Sequence, residues 1–143
     1  MRLSTRAHYA VRAVLDLALH SQHGPVAIQE IARRQAISSS YLEQLFVKLR
    51  RGQLIRSIRG ARGGYQLARP AEDVHLADII MLVDEPLQPV ACLDGRKDCD
   101  LASQCVTQDV WRQLGDHIRT FLSSITVDQL VREMRERSRE GAK

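Results

Sequence analysis

The chain has 143 residues, 44% of them hydrophobic but only 4% aromatic, and a formal net charge of +4; this suffices for one compact domain, or a small domain with an extension, around a mainly aliphatic core. No apolar run approaches the roughly 20 residues that span a bilayer, and the opening Met1-Arg2-Leu3-Ser4-Thr5-Arg6 leads into an amphipathic pattern without a signal-peptide stretch; a membrane-spanning reading is excluded and a soluble, cytoplasmic protein expected. The charge is divided, with twelve Lys and Arg against three Asp and Glu up to Arg69, and nine against fourteen from Pro70 onward, so the first half suits a polyanion and the second is acidic.

Apolar positions Ala7, Ala10, Val11, Val14, Leu15, Ala18 and Leu19 recur at intervals of three and four. They predict a helix from about Ser4 or Thr5 to His20, stopped by His23-Gly24-Pro25. A short helix follows from about Ala27 to Gln35, with Ile28, Ile31 and Ala32 inward, and Ala36-Ile37-Ser38 makes a tight turn. Ser38, Ser39 and Ser40 offer N-caps for a third helix that runs to about Arg51 on a Leu42, Leu45, Phe46 and Leu49 face. Gly52 sits where a helix commonly ends. Leu54 to Ile58 and Tyr65 to Ala68 alternate in part around the glycine-rich segment Arg59-Gly60-Ala61-Arg62-Gly63-Gly64, which predicts a β-hairpin with two arginines at its tip. Pro70 closes this unit.

A helix around Leu76 to Val83 comes next, then an irregular stretch from Asp84 to Gln104 with Pro86, Pro89 and Gly95. From about Cys105 to Ser124 a long helix carries a stripe of Val106, Val110, Leu114, Ile118, Phe121, Leu122 and Ile125. The stripe reads as a seam for a two-fold mate, with Trp111 beside it as an anchor. Thr126-Val127-Asp128-Gln129 looks like a capping box for a last helix that becomes all charge from Arg132 to Glu140 and is expected to fray. The expected fold is mainly α with a small β-hairpin wing: a winged helix-turn-helix over 1–70, a linking helix and cysteine-bearing loop over 71–104, and a dimerisation helix with a C-terminal helix or tail over 105–143.

Two short helices joined by a tight turn and followed by a hairpin form a DNA-reading head, in which the second helix of the pair lies in the major groove. Its leading residues here are Ser38, Ser39, Ser40, Tyr41, Glu43 and Gln44. Hydroxyls suit phosphates or either base, Gln44 can pair bidentately with adenine, and Glu43 can accept from cytosine. Ser38 and Ser39 serve equally well as simple caps. Lys48, Arg50 and Arg51 are expected at backbone phosphates, as are Arg2, Arg6 and Arg12 of the first helix. Arg59 and Arg62 at the hairpin tip suit a narrow minor groove, and Gly60, Gly63 and Gly64 allow a sharp turn and close approach. The glycines lack the Lys-Ser/Thr of a phosphate loop, and neither a nucleophile elbow nor a paired-carboxylate site is visible, so no enzyme is expected.

Three cysteines, Cys92, Cys99 and Cys105, lie within fourteen residues. An odd number argues against a disulfide framework. Thiolates are soft ligands for iron–sulfur clusters or zinc, and the intervals are wider than the close CxxC pairs of structural zinc. Double-stranded DNA and an iron–sulfur cluster are therefore the ligands to look for.

Ser40-Tyr41-Leu42-Glu43-Gln44-Leu45, Leu49 to Ser57 and Arg59-Gly60-Ala61-Arg62-Gly63-Gly64-Tyr65 resemble the blocks of the IscR-type regulators of the IscR/NsrR superfamily. So do Met1-Arg2-Leu3, Tyr9-Ala10-Val11, Val83-Asp84-Glu85, Trp111 and Phe121-Leu122, so that the match covers about residues 1 to 130. The resemblance implies a homodimeric bacterial transcription factor on palindromic promoter sites. It also implies a cluster, [2Fe–2S] before [4Fe–4S], held by Cys92, Cys99 and Cys105, and control of iron–sulfur assembly genes. The family's usual fourth ligand is a histidine three positions after the third cysteine; that position is Gln108 here, a poor iron ligand. In the related nitric-oxide-sensing branch an acidic residue of the partner subunit's N-terminal helix takes the role, and His8 stands at the matching place. Asp109, Gln108 and solvent remain alternatives, while His117 is too far along its helix. Other readings are a cluster-free, nitric-oxide-sensing or thiol-based regulator, or a small iron–sulfur redox protein.

Overall fold

Ser4 sets the start of the first helix, its hydroxyl accepting the Ala7 amide at 3.0 Å and so satisfying one of the unpaired donors of the first turn. Helix α1 then runs Thr5–His20. The computed structural model describes residues 2–84, 87–90, 93 and 104–142. The buried side of α1 is Ala7, Ala10, Ala13, Val14 and Leu17, with Val11, Leu15, Ala18 and Leu19 packed at its margins. The small residues let α1 serve as a central rod against which α2, α3, α4 and α6 all pack.

Helix α2 (Ile28–Gln35) and helix α3 (Ser39–Arg51) form the expected pair. The turn between them depends on Ala36, whose left-handed backbone (φ 55°) lets the Ile37 amide reach the Ala32 carbonyl at 3.0 Å; this is the double-bonded helix ending that glycine usually provides. The same ending closes α3, with the Leu54 amide on the Leu49 carbonyl at 3.0 Å and Gln53 at φ 58°. Gly52 itself has φ −79°, so glycine is not needed there for a left-handed turn. A Cβ at Gly52 would instead lie 2.2 Å from Leu82 Cδ2, so the requirement is close approach.

Strands β1 (Ile55–Ile58) and β2 (Gly64–Leu67) pair antiparallel, Ile55 opposite Leu67 and Ile58 opposite Gly64. The hairpin is tied back through Val26 and Tyr65, whose amides and carbonyls exchange bonds of 2.9 and 2.8 Å. Helix α4 spans Leu76–Val83, helix α5 Val106–Ser123 and helix α6 Val127–Gly141. Thr126 caps α6 by accepting the Gln129 amide at 3.1 Å. The Leu76 amide on Ile125 and the Val127 amide on Val74 pin this turn to the chain before α4. Val127 and Val131 thereby join the core shared by α1, α2 and α3. The charged run that was expected to fray remains helical to Gly141, helped by the Arg132–Asp128 ion pair one turn apart. Among the described residues no helix is long and apolar enough to cross a membrane.

Candidate nucleic-acid interface and cysteine segment

Burial of Leu42, Leu45, Phe46 and Leu49 fixes which side of α3 faces out. Ser40, Glu43, Gln44 and Arg51 are all exposed and recur at helical spacing, so they form one stripe. Val47 lies in the same stripe and is 37% exposed. Sequence reasoning passed over it; an exposed valine among polar readers suits the methyl group of thymine. The Ser38 hydroxyl accepts the Tyr41 amide at 3.2 Å, so it acts as the cap while keeping its proton for another acceptor. Tyr41 is half-buried, edge-on to Tyr9 with ring centroids 6.0 Å apart.

The wing stands at a fixed angle to this helix. Tyr65 of β2 meets Phe46 of α3 edge-on at 4.9 Å, and a Cβ at Gly64 would lie 2.4 Å from the Val26 carbonyl oxygen. Arg59, Gly60 and Arg62 are exposed at the tip. An open cleft of about 390 Å³ lies between the wing and the start of α2, lined by Gln29, Ser57, Arg59 and Gly60 among others. Ala27 offers α2 no side-chain cap, so the first amides of that helix are available to an anion in this cleft. Gln29 and the uncapped amides were not found from sequence, because a missing cap is legible only once the helix start is known.

Several basic residues are engaged within the protein. Arg34 grips the buried Asp16 carboxylate through Nε (3.0 Å) and Nη2 (2.8 Å), and the Gln35 amide adds a third contact at 2.9 Å. The hydrogen bond to Asp16 raises the Arg34 pKa above its ordinary value. Arg12, expected at a phosphate, instead donates to the Gln35 carbonyl at 2.6 Å and lies 5.4 Å over the Tyr9 ring. Arg6, likewise expected at a phosphate, pairs with Asp84 at 3.2 Å. Lys48 Nζ lies 3.5 Å from the Val83 carbonyl. Arg2 is exposed.

Of the cysteines, Cys92 and Cys99 lie outside the described residues. Cys105 is half-buried at the N-cap of α5. Its sulfur lies 3.1 Å from the Thr107 hydroxyl, and that hydrogen bond, followed by one from the Gln108 backbone, lowers the thiol pKa. A thiol inclined to ionise at a helix start is the donor that a thiolate-bound iron cluster requires. The one described cysteine therefore fits the expected group. Among the described residues no three His, Cys, Asp or Glu side chains converge as a metal site. Asp109 pairs with Arg112 at 3.0 Å, Gln108 is half-buried, and His8 is exposed on α1.

Helix α5 turns most of its apolar stripe outward: Val106 is 79% exposed, Val110 51% and Phe121 63%, with Trp111 and Leu114 above a third. Gly115 alone is buried in this helix, where Gln88 and Pro89 cross it. The second half of α5 meets the segment that leads into α1 around a groove of about 460 Å³ lined by Arg2, Leu3, Leu87, His117 and Phe121 among others.

Residues 3–133 match the model of the Rrf2 family, described as iron-dependent transcriptional regulators. The HTH-type transcriptional regulator IscR of Photorhabdus laumondii is 48% identical over 131 residues, 92% of this chain and 79% of that protein. The IscR of Vibrio atlanticus is 45% identical over 93% of this chain and 76% of its own length. Among solved structures, T. potens IscR superposes with a TM-score of 0.77 at 38% identity, covering 94% of this chain and 88% of that one. CymR, the global cysteine regulator of B. subtilis, superposes with a TM-score of 0.77 at 32% identity over 93% and 98%. These relatives are transcription regulators, not enzymes, and they share the winged-helix architecture described above.

Proposed function

The chain belongs to the Rrf2 family and is an IscR-like DNA-binding transcription regulator, and from that premise we propose that it acts in the cytoplasm as a homodimeric repressor whose operator affinity follows an iron–sulfur cluster. The observation that carries the DNA reading is the exposed stripe Ser40, Glu43, Gln44, Val47 and Arg51 on α3, held beside a wing that Phe46 and Val26 fasten in place. Base edges are read by Ser40, Tyr41, Glu43 and Gln44, with Ser38 and Ser39 at the approach to the groove. Arg2, Lys48 and Arg51 meet phosphates. Arg59, Gly60 and Arg62 follow the minor groove, and a phosphate settles against the uncapped start of α2 beside Arg59.

The outward apolar stripe of α5 supports the dimer, since large apolar side chains at helical spacing call for a partner. Two α5 helices packed antiparallel about a two-fold bring the start of each, with Cys105, to the other's second half. That half lies beside its own Arg2 and Leu3, just ahead of α1, so the pairing brings Cys105 of one subunit toward the N-terminal segment that leads to the partner's His8. Cys92, Cys99 and Cys105 with His8 then make the ligand set, [2Fe–2S] being the species that three thiolates and an imidazole suit. When bound, such a cluster supplies an iron- and redox-dependent tie between the subunits. This chain's part is to hold it through the three thiols, keep the Cys105 sulfur toward thiolate through Thr107, and carry its state to two reading heads whose spacing selects a palindromic operator. By analogy with its IscR relatives the targets are iron–sulfur assembly genes.

Anaerobic purification tests the cluster: iron and sulfide in a one-to-one ratio, lost in Cys92→Ala and spectrally altered in His8→Ala, are expected. Genome-wide binding by the loaded protein and by Cys92→Ala should give different promoter sets, and identical sets would refute cluster control. Gln108, in place of the usual histidine, favours a second reading, a cluster-free regulator. Colourless anaerobic protein that still binds operators would establish it.

A further inference from the structure

The last two residues of α4 and its C-cap, Asp84, are gripped from two sides. The Leu82 side chain occupies the space a side chain at Gly52 would need, with Cδ2 2.2 Å from the position of that Cβ. The Lys48 ammonium donates to the Val83 carbonyl at 3.5 Å. The Arg6 guanidinium donates to the Asp84 carboxylate at 3.2 Å. Lys48 and Gly52 are the closing turn of the reading helix α3 and its cap, and Arg6 is in the opening turn of α1. Residues 82–84 are the point at which the chain leaves α4 for the cysteine segment. All of these groups line one cleft of about 550 Å³.

The contacts differ in kind. Leu82 against Gly52 sets how closely the two helices approach, and neither can shift without repacking. The Arg6–Asp84 pair is 47% exposed on the arginine side, and the lysine bond is long. Arg6 and Lys48 both keep contact with solvent, so each can meet another anion once its partner moves. A tight apolar contact flanked by two such polar ones is where a displacement of residues 82–84 would be felt by α3. With residues 82–84 held, Arg6 and Lys48 are engaged by the protein; with 82–84 drawn away, both cations are released and the end of α3 is free to tilt.

We propose that Leu82, Val83 and Asp84 form a latch through which the cysteine segment positions the reading helix, acting on Gly52, Lys48 and Arg6. The latch rests on the cluster-controlled reading above. It adds the route within one subunit by which a change among the cysteines reaches α3, and by linkage it makes operator binding alter the latch in return.

Two substitutions outside the DNA contacts test it. Gly52→Ala, compatible with the backbone there, displaces Leu82, and Asp84→Asn removes the charge that holds Arg6. The full chain is measured unloaded and after anaerobic reconstitution with ferrous iron and sulfide, by anisotropy on an operator recovered from genome-wide binding. In wild type the two forms should differ in affinity by about 5- to 150-fold, the ordinary range for allosteric coupling, and both variants should bring that ratio close to one. A ratio unchanged in both variants overturns the latch. If the wild-type ratio is itself one, cluster control has failed, and hydrogen exchange of the unloaded protein decides the latch separately. Operator DNA should change exchange at the Leu82, Val83 and Asp84 amides in wild type and not in the variants; no change in wild type overturns the latch.

Discussion

Asp16 sits in the buried face of α1, 2% exposed, where an unpaired carboxylate would be costly. Arg34 and Gln35 satisfy it with three close donors, and Arg12 reaches the same corner through Gln35. This network fastens the end of α2 to α1 and so sets the base from which α3 departs. Asp16→Ala leaves the donors facing an apolar gap and is expected to cost about 3–4 kcal/mol, the lower part of the range for breaking a buried pair because Arg34 keeps some contact with water. A lower urea midpoint at unchanged slope would show it. Sequence periodicity did not expose this residue: an acidic side chain between Leu15 and Leu17 carries no sign of whether an arginine eighteen positions later will meet it. The same holds for Arg6 and Arg12, whose contacts with Asp84 and with Gln35 a sequence does not display.

Cys105 offers a second test at this scale. Its thiol pKa is lowered, first by the Thr107 hydroxyl, so more thiolate is present at a given pH than for an ordinary cysteine. With Cys92 and Cys99 replaced by serine, the pH profile of alkylation should have its midpoint below that of a free thiol. Thr107→Val should move that midpoint upward. An unmoved midpoint would show that the hydroxyl does not act on the sulfur.

At the level of elements, the helices and the hairpin were readable because their apolar spacing and caps are local: Ser38 before α3, Thr126 before α6 and the Gly-rich wing tip all stand where the chemistry requires. Local rules placed Gly52 correctly at the end of α3 but not the reason a glycine stands there, which is Leu82 of another helix, and overlooked Val26, whose exchange of hydrogen bonds with Tyr65 is what holds the wing. Reading helix and wing should respond differently to mutation. Gln44→Ala is expected to lose about 1–3 kcal/mol of discrimination at one base pair while leaving non-specific affinity nearly intact. Arg59→Ala is expected to weaken binding most on operators with a narrow, A·T-rich minor groove under the wing and to reduce the slope of log affinity against log salt by about one. A salt titration on operators that differ at the Gln44 base pair and at the wing position separates the two, and an equal loss in Arg59→Ala on A·T-rich and G·C-rich wing sites would contradict its placement in the minor groove.

For the whole molecule, the unpartnered stripe of α5 is the dominant exposed feature. Of the nine large hydrophobics exposed among the described residues, five lie on this one helix. Phe121→Glu places a charge within the proposed seam and should convert a dimer to a monomer in light scattering, with loss of affinity for a two-half-site operator and little change for a single half-site. A mass unchanged by the substitution would locate the dimer contact elsewhere. The stripe and its outward face were readable in the sequence; the crossing of Gln88 and Pro89 over the helix at Gly115 was not, since it depends on how the chain returns from α4.

Val127 and Val131 of α6 are buried with Ala10, Val14 and Leu17 of α1, so α1 finds its last neighbour only when residues beyond 127 have been made. Chains emerge at about 5–20 residues per second, and during those seconds the nascent reading head lacks one wall of its core. By the time that wall arrives, the cysteines and the α5 seam have necessarily been made. A chain cut short before α6 is therefore expected to carry an incomplete core rather than to act as an unregulated DNA-binding fragment.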